Sequence, residues 1–73
     1  MSDASATYSI SEVVGTSPDG VDAAIRSGIA TASKTLRNLD WFEVTEIRGY
    51  IGGDGDTPTY FQVTMKLGFR YES

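Results

Sequence analysis

The chain has 73 residues, ten of them acidic and six basic, for a net charge of −4, and it contains neither cysteine nor histidine. That length bounds it to one domain with one core, so 1–73 is read as a single unit with 1–6 a frayed end. The absent thiol and imidazole remove disulfide staples, the commonest zinc ligands, the thiol nucleophile and the usual neutral-pH general base. Partner subunits are left as the support that so short a chain needs.

The net charge disfavours bulk attachment to nucleic acid or an anionic membrane surface. No run approaches the ~20 apolar residues of a membrane helix, and Met1 to Ala6 has no signal-peptide pattern. A soluble, cytoplasmic protein is expected.

The first predicted element is a strand over Thr7–Val14, where Tyr8, Ile10, Val13 and Val14 supply β-forming side chains and Gly15 ends the run. Ser17 followed by Pro18 predicts a helix start capped by Ser17. Apolar residues at Val21, Ala24, Ile25, Gly28, Ile29, Ala32 and Leu36 then trace one buried helical face, with Asp22, Arg26, Ser27 and Lys34 largely on the other side. Gly28 on that stripe costs helix propensity, and marks either a close approach to a sheet or a tolerated glycine. Arg37 and Asn38 suit the helix C-terminus.

A second strand is predicted over Trp41–Ile51, a turn over Gly52–Pro58 and a third strand over Thr59–Tyr71. The third alternates cleanly, with Phe61, Val63, Met65, Leu67, Phe69 and Tyr71 on one face and Tyr60, Gln62, Thr64, Lys66 and Arg70 on the other. The second does not: Phe42 and Val44 share one parity, while Trp41, Ile47 and Ile51 share the opposite one. A bulge would explain this, and the register stays open. If the last two strands form a hairpin, the first lies antiparallel beside the third. The predicted architecture is α+β, a β-α-β-β protomer with a three-stranded antiparallel sheet, order 1-3-2, on one helix. Such a sheet has one bare face and two open edges and needs neighbours.

Four features carry chemistry or resemble something that does. Gly15 to Gly20 lacks the Gly-Lys-Ser/Thr ending of a phosphate loop and reads as a plain cap. Asp54-Gly55-Asp56 resembles the start of a calcium loop, but the twelfth position falls on Met65 where a glutamate is required, so it reads as a hairpin turn and no metal is expected. Glu43 and Glu46, offered as paired carboxylates, differ in strand parity and converge only across a bulge. Trp41, the single tryptophan, taken alone reads as core. Its surroundings change that reading, because hairpin pairing can bring Arg48 opposite Gln62. An indole face, an amide and a guanidinium together suit a flat aromatic with a polar edge.

Val14-Gly15-Thr16-Ser17, then Ala32 to Val44 around Asn38-Leu39-Asp40-Trp41-Phe42-Glu43, then Glu46-Ile47-Arg48-Gly49 and the Gln62-Val63 to Gly68-Phe69-Arg70 stretch resemble the dodecin family. The resemblance runs from about Tyr8 to Tyr71, departing mainly at a long glycine- and aspartate-rich tip, Gly52 to Thr59. It implies a hollow homododecamer that binds flavins and performs no established reaction on them. It further implies that Trp41 stacks on the isoalloxazine, that Gln62 hydrogen-bonds its pyrimidine edge, and that Arg48 favours flavin mononucleotide (FMN) over riboflavin; Asp40 is read as the fourth cofactor-binding residue. Some family members bind coenzyme A, and Lys34, Arg37 and Arg70 are the cations expected to meet its phosphates. The expected role is storage, buffering and photoprotection of free flavin, without catalysis. The rival reading is a small oligomeric αβ module that binds coenzyme A or another aromatic ligand.

Overall fold

The computed structural model describes residues 5–71, so most of the frayed end expected at 1–6 lies outside the described residues. Four elements follow in the order β1 (Tyr8–Ser17), α1 (Val21–Ala32), β2 (Leu39–Ile51) and β3 (Pro58–Arg70). The sheet is antiparallel throughout, in the order β1-β3-β2. Among the described residues no helix is long and apolar enough to cross a membrane.

β3 lies in the centre because its alternation buries one whole face. Val63, Met65 and Leu67 are essentially inaccessible, and with Ala24 of α1 they form the core. Val13, Val21, Ile25, Ile29, Leu39 and Val44 close around them. The helix rests on β1 and β3 and leaves most of β2 uncovered, so Phe42 and Ile47 are about half exposed although they point to the helix side. The protomer is elongated, 56 × 21 × 14 Å, with a radius of gyration of 15.2 Å. A compact chain of this length would have ~11 Å. So extended a sheet, bare on one face, cannot exclude water by itself.

Three expectations are corrected. Gly15 does not end the first strand, which pairs without interruption from Tyr8↔Arg70 to Ser17↔Phe61. Gly15 is instead where α1 crosses β1: a Cβ there would overlap the Ala24 carbonyl oxygen, and one on Gly28 would lie 2.7 Å from Met65 Cε and 3.1 Å from Gly15 Cα. The glycine on the helical stripe therefore marks a close approach.

Ser17 does not cap the helix. It remains in β1, and its Oγ accepts the Asp19 amide at 3.0 Å in a tight turn. The N-cap is Gly20, at φ 144°, with no side-chain cap. Nor does the helix run on through Leu36 to Arg37 and Asn38. Ser33 Oγ donates to the Ala30 carbonyl at 2.8 Å, and the Thr35 and Leu36 amides share the Ala32 carbonyl, so the chain leaves the helix after Ala32. Asn38 takes the left-handed conformation, φ 62°, in the connection to β2 rather than at the helix end.

The irregular parity of β2 has a definite cause. Register shifts fall between Leu39 and Trp41, between Val44 and Glu46, and between Tyr50 and Ile51. Asp40 and Thr45 are the extra residues of the first two, and the Thr45 hydroxyl donates to the Thr64 carbonyl at 3.2 Å.

Candidate functional site

The Thr45 bulge decides what the sheet shows on the side away from the helix. Before it, Trp41 and Glu43 lie opposite Gly68 and Lys66; after it, Glu46 and Arg48 lie opposite Thr64 and Gln62. All four β3 partners are even-numbered and share the helix-distal face, so the extra residue keeps both halves of β2 on that face. Glu43 and Glu46 therefore do share a face, the condition under which they could converge. Glu46 is occupied: its carboxylate pairs with Arg48 at 3.0 Å, both side chains about half exposed.

At one end of this open face the Trp41 indole lies across β3. It can do so because residue 68 is glycine: a Cβ there would overlap the six-membered ring of the indole. The inner face of the indole is seated on backbone, while the residue keeps 40 % of its surface exposed. Tyr8 reaches in from β1, its ring centroid 6.3 Å from that of Trp41 at 42°. Its hydroxyl donates to Asp40 Oδ2 at 2.6 Å. That hydrogen bond, with the negative charge of Asp40, raises the Tyr8 phenol above its usual range, and Arg70 pulls the other way. On the helix side of the same stretch of β2, Ile29, Leu39, Phe42 and Leu67 form a shallow apolar notch.

At the other end hairpin pairing sets Arg48 opposite Gln62, with Tyr50 and Tyr60 edge to face beyond them at 5.6 Å. Hydrogen bonding and charge from Glu46, then Tyr50, hold the Arg48 guanidinium above its already high pKa, so it stays charged. Within one chain these two ends do not meet. Gly68, beneath Trp41, and Gln62 are six residues apart on β3, roughly 20 Å at ~3.3 Å per residue. Of the further cations, Arg37 and Arg70 line one groove with Leu36 and Phe69, and exposed Lys34 lies in the turn after α1.

The groups at the two ends suit a flat aromatic with a polar, anionic edge, though one chain does not bring them together. An indole face suits a flat ring, the Gln62 amide offers both donors and an acceptor, and Arg48 offers a positive charge to an anionic group. Gly68 and Tyr8 escaped the sequence reading. A glycine interrupting the best alternating strand signals that something lies across the backbone, but it does not say what. The aspartates of the β2–β3 tip serve the turn: Asp54 Oδ1 accepts the Asp56 and Thr57 amides, each at 3.1 Å. Among the described residues no group of three or more metal-ligating side chains converges.

The fold and this face define a small α+β protomer whose aromatic platform and polar edge occupy opposite ends of an uncovered sheet. The sequence profile of the Dodecin family matches residues 7–72. The chain is similar to the dodecin of Thermus thermophilus, 54 % identical over 65 residues that cover 89 % of this chain and 91 % of that protein. The solved dodecin from Streptomyces davaonensis superposes with a TM-score of 0.87 at 53 % identity, covering 96 % of this chain and all of that one. That of Streptomyces coelicolor does so with a TM-score of 0.86 at 54 % identity, covering 96 % and 97 %. The chain belongs to the dodecin family, small flavin-binding proteins whose structures are oligomeric and which act in binding or storage rather than catalysis.

Proposed function

We propose that this chain binds flavin, FMN in preference, by stacking it on the open face of Trp41 within a homododecamer, and that it stores, buffers and photoprotects the flavin without transforming it. The observation that carries this reading is the indole laid on Gly68 with its outer face open. An aromatic seated on bare backbone offers a rigid surface to a second flat ring.

Trp41 and the Gln62–Arg48 pair lie on one face but at opposite ends, so a slot using all three forms between chains. Self-association is then part of the site, which agrees with the elongated protomer. Bound flavin would supply an isoalloxazine that absorbs visible light and reacts with oxygen. The electron-rich indole quenches that excited state by contact, and Gln62 and Arg48 hold the pyrimidine edge and the phosphate. Asp40, directly before Trp41, is the fourth residue proposed to border the flavin, its carboxylate held in place by Tyr8. Arg37, Arg70 and Lys34 are the contacts proposed for further phosphates, including those of coenzyme A. The assembly is cytoplasmic in this reading, with neither nucleic acid nor membrane as partner.

The deciding experiment is a titration of fluorescent FMN with purified protein whose mass in solution is measured alongside. Saturable quenching near one flavin per chain on a particle of about twelve chains is expected, and Trp41→Ala should abolish it while leaving the particle intact. Undiminished emission at high micromolar protein would overturn the reading. The same titration with riboflavin and with coenzyme A as competitor ranks the ligands.

A further inference from the structure

β1 and β2 are not paired with each other, because β3 lies between them. They flank β3 at about 4.8 Å on either side, so a side chain on one has to span roughly 10 Å to reach the other. Tyr8, opposite Arg70, and Asp40, the bulge residue between the partners of Phe69 and Gly68, close that gap over the middle strand. The bond is short and charge-assisted, a class roughly twice as strong as neutral hydrogen bonds. Its acceptor is the extra residue of the bulge and directly precedes Trp41, so holding the Asp40 carboxylate restrains the segment from which the indole projects. The Tyr8 ring then flanks the indole at a separation typical of packed aromatic pairs.

We infer that Tyr8 is a positioning residue for Trp41: its hydroxyl pins the bulge at Asp40 and its ring walls one side of the indole, so that the platform is set before a ligand arrives. A half-exposed tryptophan without such a restraint would sample several staggered rotamers, and a ligand would have to select one of them. Arg70 lies opposite Tyr8 on β3, and its positive charge opposes the effect of Asp40 on the phenol. The consequence for flavin affinity rests on the reading of Trp41 as the stacking surface. The positioning itself is readable without flavin, because Trp41 is the single tryptophan of the chain.

The test compares the full-length flavin-free protein with Tyr8→Phe, Tyr8→Ala and Asp40→Asn by time-resolved anisotropy of tryptophan emission and by acrylamide quenching, with the mass of each assembly measured. In the parent protein the indole should turn only with the whole particle. Tyr8→Ala should add a nanosecond local motion and raise the acrylamide quenching constant about twofold, Tyr8→Phe should lie between, and Asp40→Asn, which keeps an acceptor but loses the charge, should fall between the parent and Tyr8→Phe. FMN should bind about two- to tenfold more weakly to Tyr8→Ala, the range set by freezing one side chain on binding. Unchanged anisotropy and quenching in a normally assembled Tyr8→Ala would overturn the inference. Should that variant not assemble, Tyr8→Phe decides on the same readouts, and an indole as still as the parent's refutes it. If the parent protein binds no FMN, the storage reading falls, while the anisotropy data still decide the role of Tyr8.

Discussion

The Trp41 ring rests on the backbone of Gly68 so closely that a Cβ on the glycine would stand within 2.6 Å of indole Cδ2 and nearer still to two other ring atoms. Gly68→Ala should therefore lift the indole off the sheet. Because the ring is at the surface, it can swing outward, and stability should fall only by about 1–3 kcal/mol, as in overpacked sites. The emission maximum should move to the red, and flavin affinity should drop at least as far as in Tyr8→Ala. Emission spectra and the FMN titration check this.

The crossing of α1 over β1 sets a second expectation. Gly28→Ala gains about 1 kcal/mol of helix propensity but pushes on Met65 and on the Gly15 backbone, so the net effect should be a loss of about 1 kcal/mol. Gly15→Ala meets only backbone, which cannot step aside, and should cost more than 3 kcal/mol or prevent folding. Denaturation midpoints at fixed protein concentration, since assembly feeds into apparent stability, rank the two.

Arg48 and Glu46 allow ligand choice to be separated from stability. An exposed pair of this kind contributes ~0–1 kcal/mol, so Arg48→Ala should melt within a few degrees of the parent. The preference for FMN over riboflavin proposed above should collapse in this variant, since Arg48 is the cation proposed for the phosphate. Glu46→Gln releases the guanidinium from its intramolecular partner and should strengthen the preference. Parallel titrations with the two flavins read both outcomes.

The hairpin tip should respond to acid. The Asp54 carboxyl is held below its ordinary 3.8, chiefly by the Thr57 hydroxyl and then by the Asp56 and Thr57 amides. A depressed folded pKa means that the contribution is present above pH 3.8 and is lost as pH falls through the folded value. Amide exchange at Asp56 and Thr57, corrected for intrinsic rates, should accelerate below about pH 4. In Asp54→Ala it should be fast at neutral pH as well.

The order of elements and the sheet topology were legible because β3 alternates over its whole length and the helical stripe has an unambiguous period. The ends were not. Where the helix stops depends on Ser33 and Thr35 bonding back to carbonyls, a competition that propensity does not resolve, and Gly15 looked like a break because a crossing helix is invisible from one strand. The pairing of Arg48 with Gln62 followed from the hairpin alone. The reach of Trp41 over Gly68 and the bridge from Tyr8 to Asp40 join residues about thirty positions apart, and no local pattern encodes them.

The extra residue at Thr45 acts as a phase change in a repeat of two. Upstream and downstream of it, β2 can lengthen or shorten in steps of two without altering what it presents, whereas a single insertion or deletion between Trp41 and Arg48 would turn one of them toward the helix. The segment from Gly52 to Thr57 is under no such rule, because it belongs to neither face. Length variation among sequences of this kind should accordingly accumulate at the hairpin tip, while the spacing from Trp41 to Arg48 stays fixed in parity.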